Sequence, residues 1–190
     1  SVPQKDIDFL YVGEPQKRKM PPWAYPVLQR LQDRLALVSD FTHPDVRKLK
    51  PRMAFQTTKA MPALGYVMAT DNIIRDLYSR TRFYLNVSAN EGFGLTPLEA
   101  QAFGAITIAP EIPVFKETLG SCVYWVPVNP NDYEIWQYNA LRLHLYHYDP
   151  ETMIKVAENA KWSEDQAKEC MLNASKYYYW GVYRRFLELI

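Results

Sequence analysis

The sequence has almost no excess charge, no long apolar run and almost no cysteine. Lys and Arg total 22 against 21 Asp and Glu, a net charge of +1, whereas a general nucleic-acid binder would show a strong basic excess. No stretch of about twenty consecutive apolar residues occurs, which excludes a membrane-spanning helix from this sequence. Lys5, Asp6 and Asp8 interrupt any apolar run near the start, and no secretory leader is legible there. Two cysteines, Cys122 and Cys170, are too few for a disulfide framework, and free thiols in a cytoplasmic protein are expected. What remains is ordinary globular composition, 48% hydrophobic and 23% charged over 190 residues, which suits a single domain with a substantial core.

The stretch that organises the chain is residues 88–104, SANEGFGLTPLEAQAFG, with the apolar runs FYLNV before it and ITIA after it. Glu91-Gly92-Phe93-Gly94 carries two glycines, which let a backbone turn sharply and approach a ligand. Thr96-Pro97-Leu98-Glu99 reads as a helix start. Thr96 takes the N-cap, Pro97 the first helical position, and Glu99 closes a capping box. Gly104 stands where the helix would stop. A glycine turn feeding a helix gathers unpaired N–H groups and the positive end of the helix dipole, which favours an anion, usually a phosphate. Glu91 and Glu99 flank that site and would repel a phosphate. An ionised carboxylate accepts instead from neighbouring hydroxyls, and a phosphate with a sugar diol on either side is a sugar nucleotide. Capping alone explains Glu99 about as well, and Glu91 reads equally as a solvated loop acid.

The segment EGFGLTPLEAQAFGAITIAPEIPVFKETLG resembles the signature of retaining glycosyltransferases with the GT-B fold, the group that includes sucrose-phosphate synthases and bacterial mannosyltransferases. Its mark is two glutamates separated by seven residues; Glu91, Glu99, Gly104 and Glu117 fall in step. The resemblance implies that Glu99 holds a ribose diol and Glu91 the hydroxyls of the transferred sugar. It implies that the amides of Gly92, Phe93, Gly94, Leu95 and Thr96 bind the diphosphate. It also implies no metal and no cofactor, the nucleotide-diphosphate sugar (UDP or GDP sugar) being the substrate.

Residues 7–12, IDFLYV, read as a buried strand ending at Gly13. A loop and a helix from Trp23 to about Arg34 follow. This unit resembles the start of the family's donor domain, where Arg follows the glycine and Lys comes six positions after it. Lys19 falls at the Lys position, so the likeness makes it, with Glu91, a catalytic residue. Glu14 occupies the Arg position, where an acid would repel a leaving diphosphate; Lys17 and Arg18 are candidates to substitute. Further strands are expected at residues 35–39, 52–55, 65–67, 83–87, 106–109 and 122–126, and further helices at 71–79 and 113–119. LGYVMATDNIIRDLYSRTRFYLNVS resembles the family's lead-in to the glutamates, which makes Tyr66, Val67 and Met68 candidate base contacts; taken alone, each is a core residue. The alternation gives an α/β fold: one Rossmann-like domain over 1–190, with a doubly wound, mostly parallel sheet of about six strands and C-terminal helices over 132–190. That is half of a GT-B fold. Ligands of such sheets bind beyond the carboxyl ends of the strands, where Gly13, Tyr66, Glu91 and residues 92–96 would meet.

Other features read as structural. Asp6-Ile7-Asp8 has the form that holds a divalent metal, but no surrounding sequence supports it. His144 and His147 lie in DYEIWQYNALRLHLYHY, read as a helix with Ile135, Tyr138, Leu141, Leu145 and Tyr148 along one face; the histidines form a solvated face. Pro150 breaks that helix, and helices over 151–161 and 164–190 follow. The tail, KYYYWGVYRRFLELI, mixes aromatics with Arg184 and Arg185 and needs cover from a partner subunit, a second copy, its own domain or a membrane surface.

The expectation is a cytoplasmic, metal-independent glycosyltransferase donor half. It would pass a sugar to an unknown acceptor bound by a second polypeptide or another copy, and donors aimed at the departing diphosphate would supply most of the acceleration. Two alternatives stand beside it. A non-catalytic nucleotide-sugar-binding module is favoured by Glu14. A structural interaction protein explains the tail but leaves the two glutamates without a purpose.

Overall fold

The computed structural model of the chain describes residues 2–177. Seven strands form one sheet: β1 (Ile7–Val12), β2 (Leu35–Ser39), β3 (Met53–Gln56), β4 (Val67–Met68), β5 (Thr81–Leu85), β6 (Ile106–Pro110) and β7 (Val123–Val126). Every neighbouring pair is parallel, and the order is β4-β3-β2-β1-β5-β6-β7. All five residues of β2 and of β6 are buried, as strands covered on both faces require. That is why the strand runs were continuous rather than alternating.

Right-handed crossovers place α1 (Tyr25–Arg30) and α2 (Pro44–Arg47) on one face of the sheet. The same rule places α3 (Asp71–Arg80), α4 (Leu95–Ala102) and α5 (Pro113–Thr118) on the other. Of the last two helices, α6 (Pro150–Asn159) packs on α1 and α7 (Glu164–Ser175) on α4. Four helices open on side-chain caps, His43 accepting from the Asp45 amide, Thr70 from Ile73, Asp149 from Thr152 and Ser163 from Gln166. Pro150, expected to break a helix, is the first residue of α6, where its missing N–H is no loss. Among the described residues no helix is long and apolar enough to cross a membrane. The tail beyond residue 177, with Arg184 and Arg185, lies outside the described residues.

The helix expected over 132–148 is instead an antiparallel hairpin of β8 (Tyr133–Tyr138) and β9 (Leu141–Tyr146). Asn139, at φ 54°, opens its two-residue turn, a conformation Asn tolerates better than most residues. The segment carries four tyrosines together with Ile135 and Trp136, residue types that favour a pleated surface. Leu145 is buried near the body, while Ile135, Tyr138 and Leu141 are exposed.

The two thiols are not free: Cys122 and Cys170 form a disulfide with Cα atoms 5.0 Å apart, joining the entry of β7 to α7. They are 48 residues apart in sequence, and no spacing signals the bond. Beside it, buried Asn173 donates to Gln101 Oε1 at 2.7 Å, and the Gln101 amide donates to the Cys122 carbonyl at 3.0 Å. These links fix α7 on α4 and β7.

Candidate functional site

The strand order reverses between β1 and β5, and the crevice beyond such a reversal is where open α/β sheets bind ligands. Two loops meet there, residues 13–21 after β1 and 86–94 after β5, and they are locked together. The Ala89 amide donates to the Arg18 carbonyl at 2.8 Å. The Arg18 guanidinium reaches Glu91 Oε2 at 2.7 Å. Ser88 Oγ donates to Glu91 Oε1 at 2.9 Å, so both carboxylate oxygens are held. Behind them the buried Tyr11 hydroxyl donates to the Lys19 carbonyl at 2.6 Å and contacts Ser88 Oγ at 3.1 Å.

Each expected site residue has a definite place. Gly13 is buried, and a Cβ there would lie 2.5 Å from the Tyr11 hydroxyl; its small size makes room for the tyrosine joining the loops. Gly92 and Phe93 are exposed and a Cβ at Gly92 would meet nothing, so the turn is open to a ligand. Lys19 is half-buried, and its ammonium has no ion pair among the described residues. Glu14 accepts from Gln16 at 3.2 Å. Lys17 turns away to pair with Glu134 of the hairpin. Arg18, one of two candidates for the missing arginine, is therefore the cation beside Glu91.

The start of α4 differs from the capping box. Gly94, at φ 79°, is the N-cap with no side-chain cap, and the helix begins at Leu95. A left-handed glycine ends the loop two residues early, so Thr96 falls inside the first turn and its hydroxyl bonds Tyr84. Glu99 accepts from the Tyr78 hydroxyl at 3.0 Å. Burial pushes the Tyr84 hydroxyl to a high pKa, and the charges of both Glu91 and Glu99 add to the rise. Both glutamates are thus within electrostatic reach of one protonated phenol. Tyr78 is raised in the same way, by burial and then by Glu99.

Tyr66 and Val67 are not beside this pair. They lie at edge strand β4, three strand spacings or about 14 Å from β1. Tyr66 stacks on Phe41 with centroids 4.3 Å apart, and Val67 is exposed.

The hairpin holds the glutamate loop from outside. The Tyr146 amide donates to the Ala89 carbonyl at 3.1 Å, Asn90 to the His144 carbonyl at 2.7 Å, and the Tyr148 hydroxyl to the Val87 carbonyl at 2.7 Å. His147 bonds Asp132 at 2.7 Å and lies edge-on to Trp23; that bond raises its pKa more than burial lowers it. His144 stacks on Tyr133. Among the described residues no group of three His, Cys, Asp or Glu is placed to hold a metal. Asp6 and Asp8 lie at the other end of β1, where Asp6 takes Arg80 and Asp8 takes both Arg34 and Arg82.

Tyr11 and Tyr84 were hidden inside runs read as apolar strands, and Tyr78 on the apolar face of the helix expected over 71–79. The available signal was that a phenol buried in a strand or helix needs a hydrogen-bond partner.

The family described as Glycosyl transferases group 1 matches residues 6–144. O-antigen chain mannosyltransferase RfbU of Salmonella typhimurium is 39% identical over 66 residues, 35% of this chain and 18% of that protein. Serotype-specific mannosyltransferase WbdA of Escherichia coli is 32% identical over 123 residues, 63% of this chain and 15% of that protein. The chain therefore matches only a small part of these relatives' length. Among solved structures, the GtfA/B complex aligns at TM-score 0.59 and 15% identity, over 98% of this chain and 36% of that one. Sucrose-phosphate synthase from Thermosynechococcus elongatus aligns at 0.56 and 20%, over 97% and 45%. At these identities the likeness shows the fold.

Proposed function

The chain belongs to the glycosyl transferases of group 1, and on that premise we propose that it is the donor-binding unit of a retaining sugar transferase. Its substrate would be a nucleoside-diphosphate hexose, with mannose the first choice because both relatives above are named mannosyltransferases. The observation that carries this is Glu91, held by Arg18 and Ser88 beside an open glycine turn that leads directly into the helix bearing Glu99.

In this reading Glu99 takes the ribose diol and Glu91 the sugar hydroxyls, while the base lies toward Tyr66 and Val67. The amides of residues 92–96 and the Lys19 ammonium receive the diphosphate. When the bond from the anomeric carbon to the diphosphate oxygen breaks, charge grows on the diphosphate, and fixed donors aimed there lower the barrier. Arg18 serves in place of an arginine at position 14, moving from Glu91 to the diphosphate as the donor enters. No metal or cofactor takes part. The acceptor is held by another polypeptide or a second copy, and the reaction is cytoplasmic.

Calorimetric titration with UDP, GDP and their hexose derivatives tests this. Glu99→Ala should weaken nucleotide binding roughly tenfold to a hundredfold, the loss of charged hydrogen bonds of about 1.5–3 kcal/mol. Glu91→Ala should keep nucleotide affinity and abolish sugar transfer or donor hydrolysis. Failure of every nucleoside diphosphate to bind would refute the proposal. Binding without turnover, even with candidate acceptors and partners, would select the non-catalytic module that Glu14 favours.

A further inference from the structure

A cavity of about 530 Å³ lies between the loop after β1 and the segment entering α2, within the roughly 300–1,000 Å³ of small-molecule sites. It shares the loop after β1 with the glutamate rim, but neither Glu91 nor Glu99 lines it. Tyr25 and Gln29 of α1 and Asp45 of α2 complete its walls, and the crossover rule puts those helices on the face of the sheet opposite α4 and Glu99. We propose that this cavity is a second ligand site, for a neutral saccharide.

Its lining has two halves. Pro15, Pro22, Met20 and Leu49, with the half-buried ring of Tyr25, form an apolar floor. Gln29, His43, Lys17, Lys48 and Asp45 supply polar groups of both signs around it. Two of these groups, the Tyr25 hydroxyl and the Gln29 amide, have no hydrogen-bond partner among the described residues. His43 Nδ1 accepts from the Asp45 amide at 3.3 Å, so in the neutral ring Nε2 carries the proton and is free to donate.

Charge decides the class of ligand. Lys17 is offset by Glu134 and Lys48 by Asp45 at 3.0 Å, so the cavity has no excess of positive charge to draw a phosphate or carboxylate. A hydrocarbon would bury these polar groups against nothing. A sugar ring presents one apolar face and a rim of hydroxyls that donate and accept, which matches the aromatic and aliphatic floor and the mixed polar rim. The inference stands independently of the transferase reading.

Amide chemical-shift mapping of the full chain tests it, with methyl α-glucoside, methyl α-mannoside and maltotriose as probes and inorganic phosphate as the contrasting ligand. At least one sugar should shift Tyr25, Gln29 and His43 with a dissociation constant on the order of millimolar, and UDP should not displace it. Gln29→Trp, at an exposed position on α1, should fill the cavity and weaken that binding roughly tenfold or more while leaving the remaining spectrum folded. Silence of all three sugars, shifts produced by phosphate alone, or sugar shifts confined to residues 91–99 would each overturn the proposal. UDP shifts at 91–99, read in the same spectra, report on the donor reading separately, so the two ideas fail independently.

Discussion

Gly13 follows the end of β1, two positions after Tyr11, and the Tyr11 hydroxyl occupies the space a side chain on Gly13 would need. Gly13→Ala should therefore displace Tyr11 from Ser88 and the Lys19 carbonyl. The expected loss is about 1–3 kcal/mol of stability, the usual penalty for overpacking, with weaker nucleotide binding because the loops no longer lock. Urea denaturation measures the first; an unchanged midpoint would refute the packing account. His147 offers a test by pH. Its bond to Asp132 raises its folded pKa above the ordinary 6.5, so its contribution is complete below that value and fades as pH rises through the raised one. The pair is largely exposed, and the effect should stay under about 1 kcal/mol. Imidazole titration by NMR should show the rise, and Asp132→Asn should return His147 toward 6.5. At this scale the glutamates were legible because their motif is local. Arg18 was legible only as one of two alternatives, because its partner Glu91 is 73 residues away. Tyr11 was invisible as a polar residue for the same reason, its Ser88 contact being 77 residues distant.

The elements divide sharply by how much of their pattern is local. Strands buried on both faces announce themselves as short apolar runs, and β1, β2 and β6 were placed to within a residue of their bounds. The hairpin did not announce itself. Ile135, Tyr138, Leu141 and Leu145 satisfy helical spacing, yet the turn at Asn139 and the bonds from Tyr146 and His144 to the glutamate loop settle the segment as strands. Local periodicity cannot register a contact made with residues 87–90. The disulfide from Cys122 to α7 was missed for a related reason, since the neighbourhood of α7 and β7 exists only once the sheet is built. With 48 residues between its ends, this link should stabilise the domain by about 4 kcal/mol in the chain-entropy account. Thermal unfolding with and without dithiothreitol should differ accordingly. Two titratable thiols in the native, unreduced protein would contradict the linkage.

For the molecule as a whole, four completely buried tyrosines set the alkaline limit. Burial raises the pKa of Tyr11, Tyr78, Tyr84 and Tyr148 above 10. The folded state keeps these protons while the unfolded chain gives them up near pH 10. Their contribution is full below that pH and is lost above it, by up to about 1.4 kcal/mol per tyrosine per pH unit. Lys5 acts in the opposite sense: burial lowers its pKa to about 8, so between there and its unfolded value near 10.5 it adds stability as pH rises. One lysine against four phenols leaves a net fall beginning near pH 10. Urea midpoints from pH 9 to 11, read with phenolate absorbance, would show it; four phenols ionising freely at pH 10 in folded protein would contradict it.

The central position of β1 also governs the order in which the molecule can be assembled. Emerging from a ribosome, β1 meets residues 35–38 early, but its other flank waits for residues 81–84. Until those arrive, one edge of the innermost strand is an open seam that an errant strand could pair with. The loops carrying Arg18 and Glu91 lie on opposite sides of that seam. A nascent chain therefore cannot bring the two loops together until the seam closes, and the interaction between Arg18 and Glu91 records that closure.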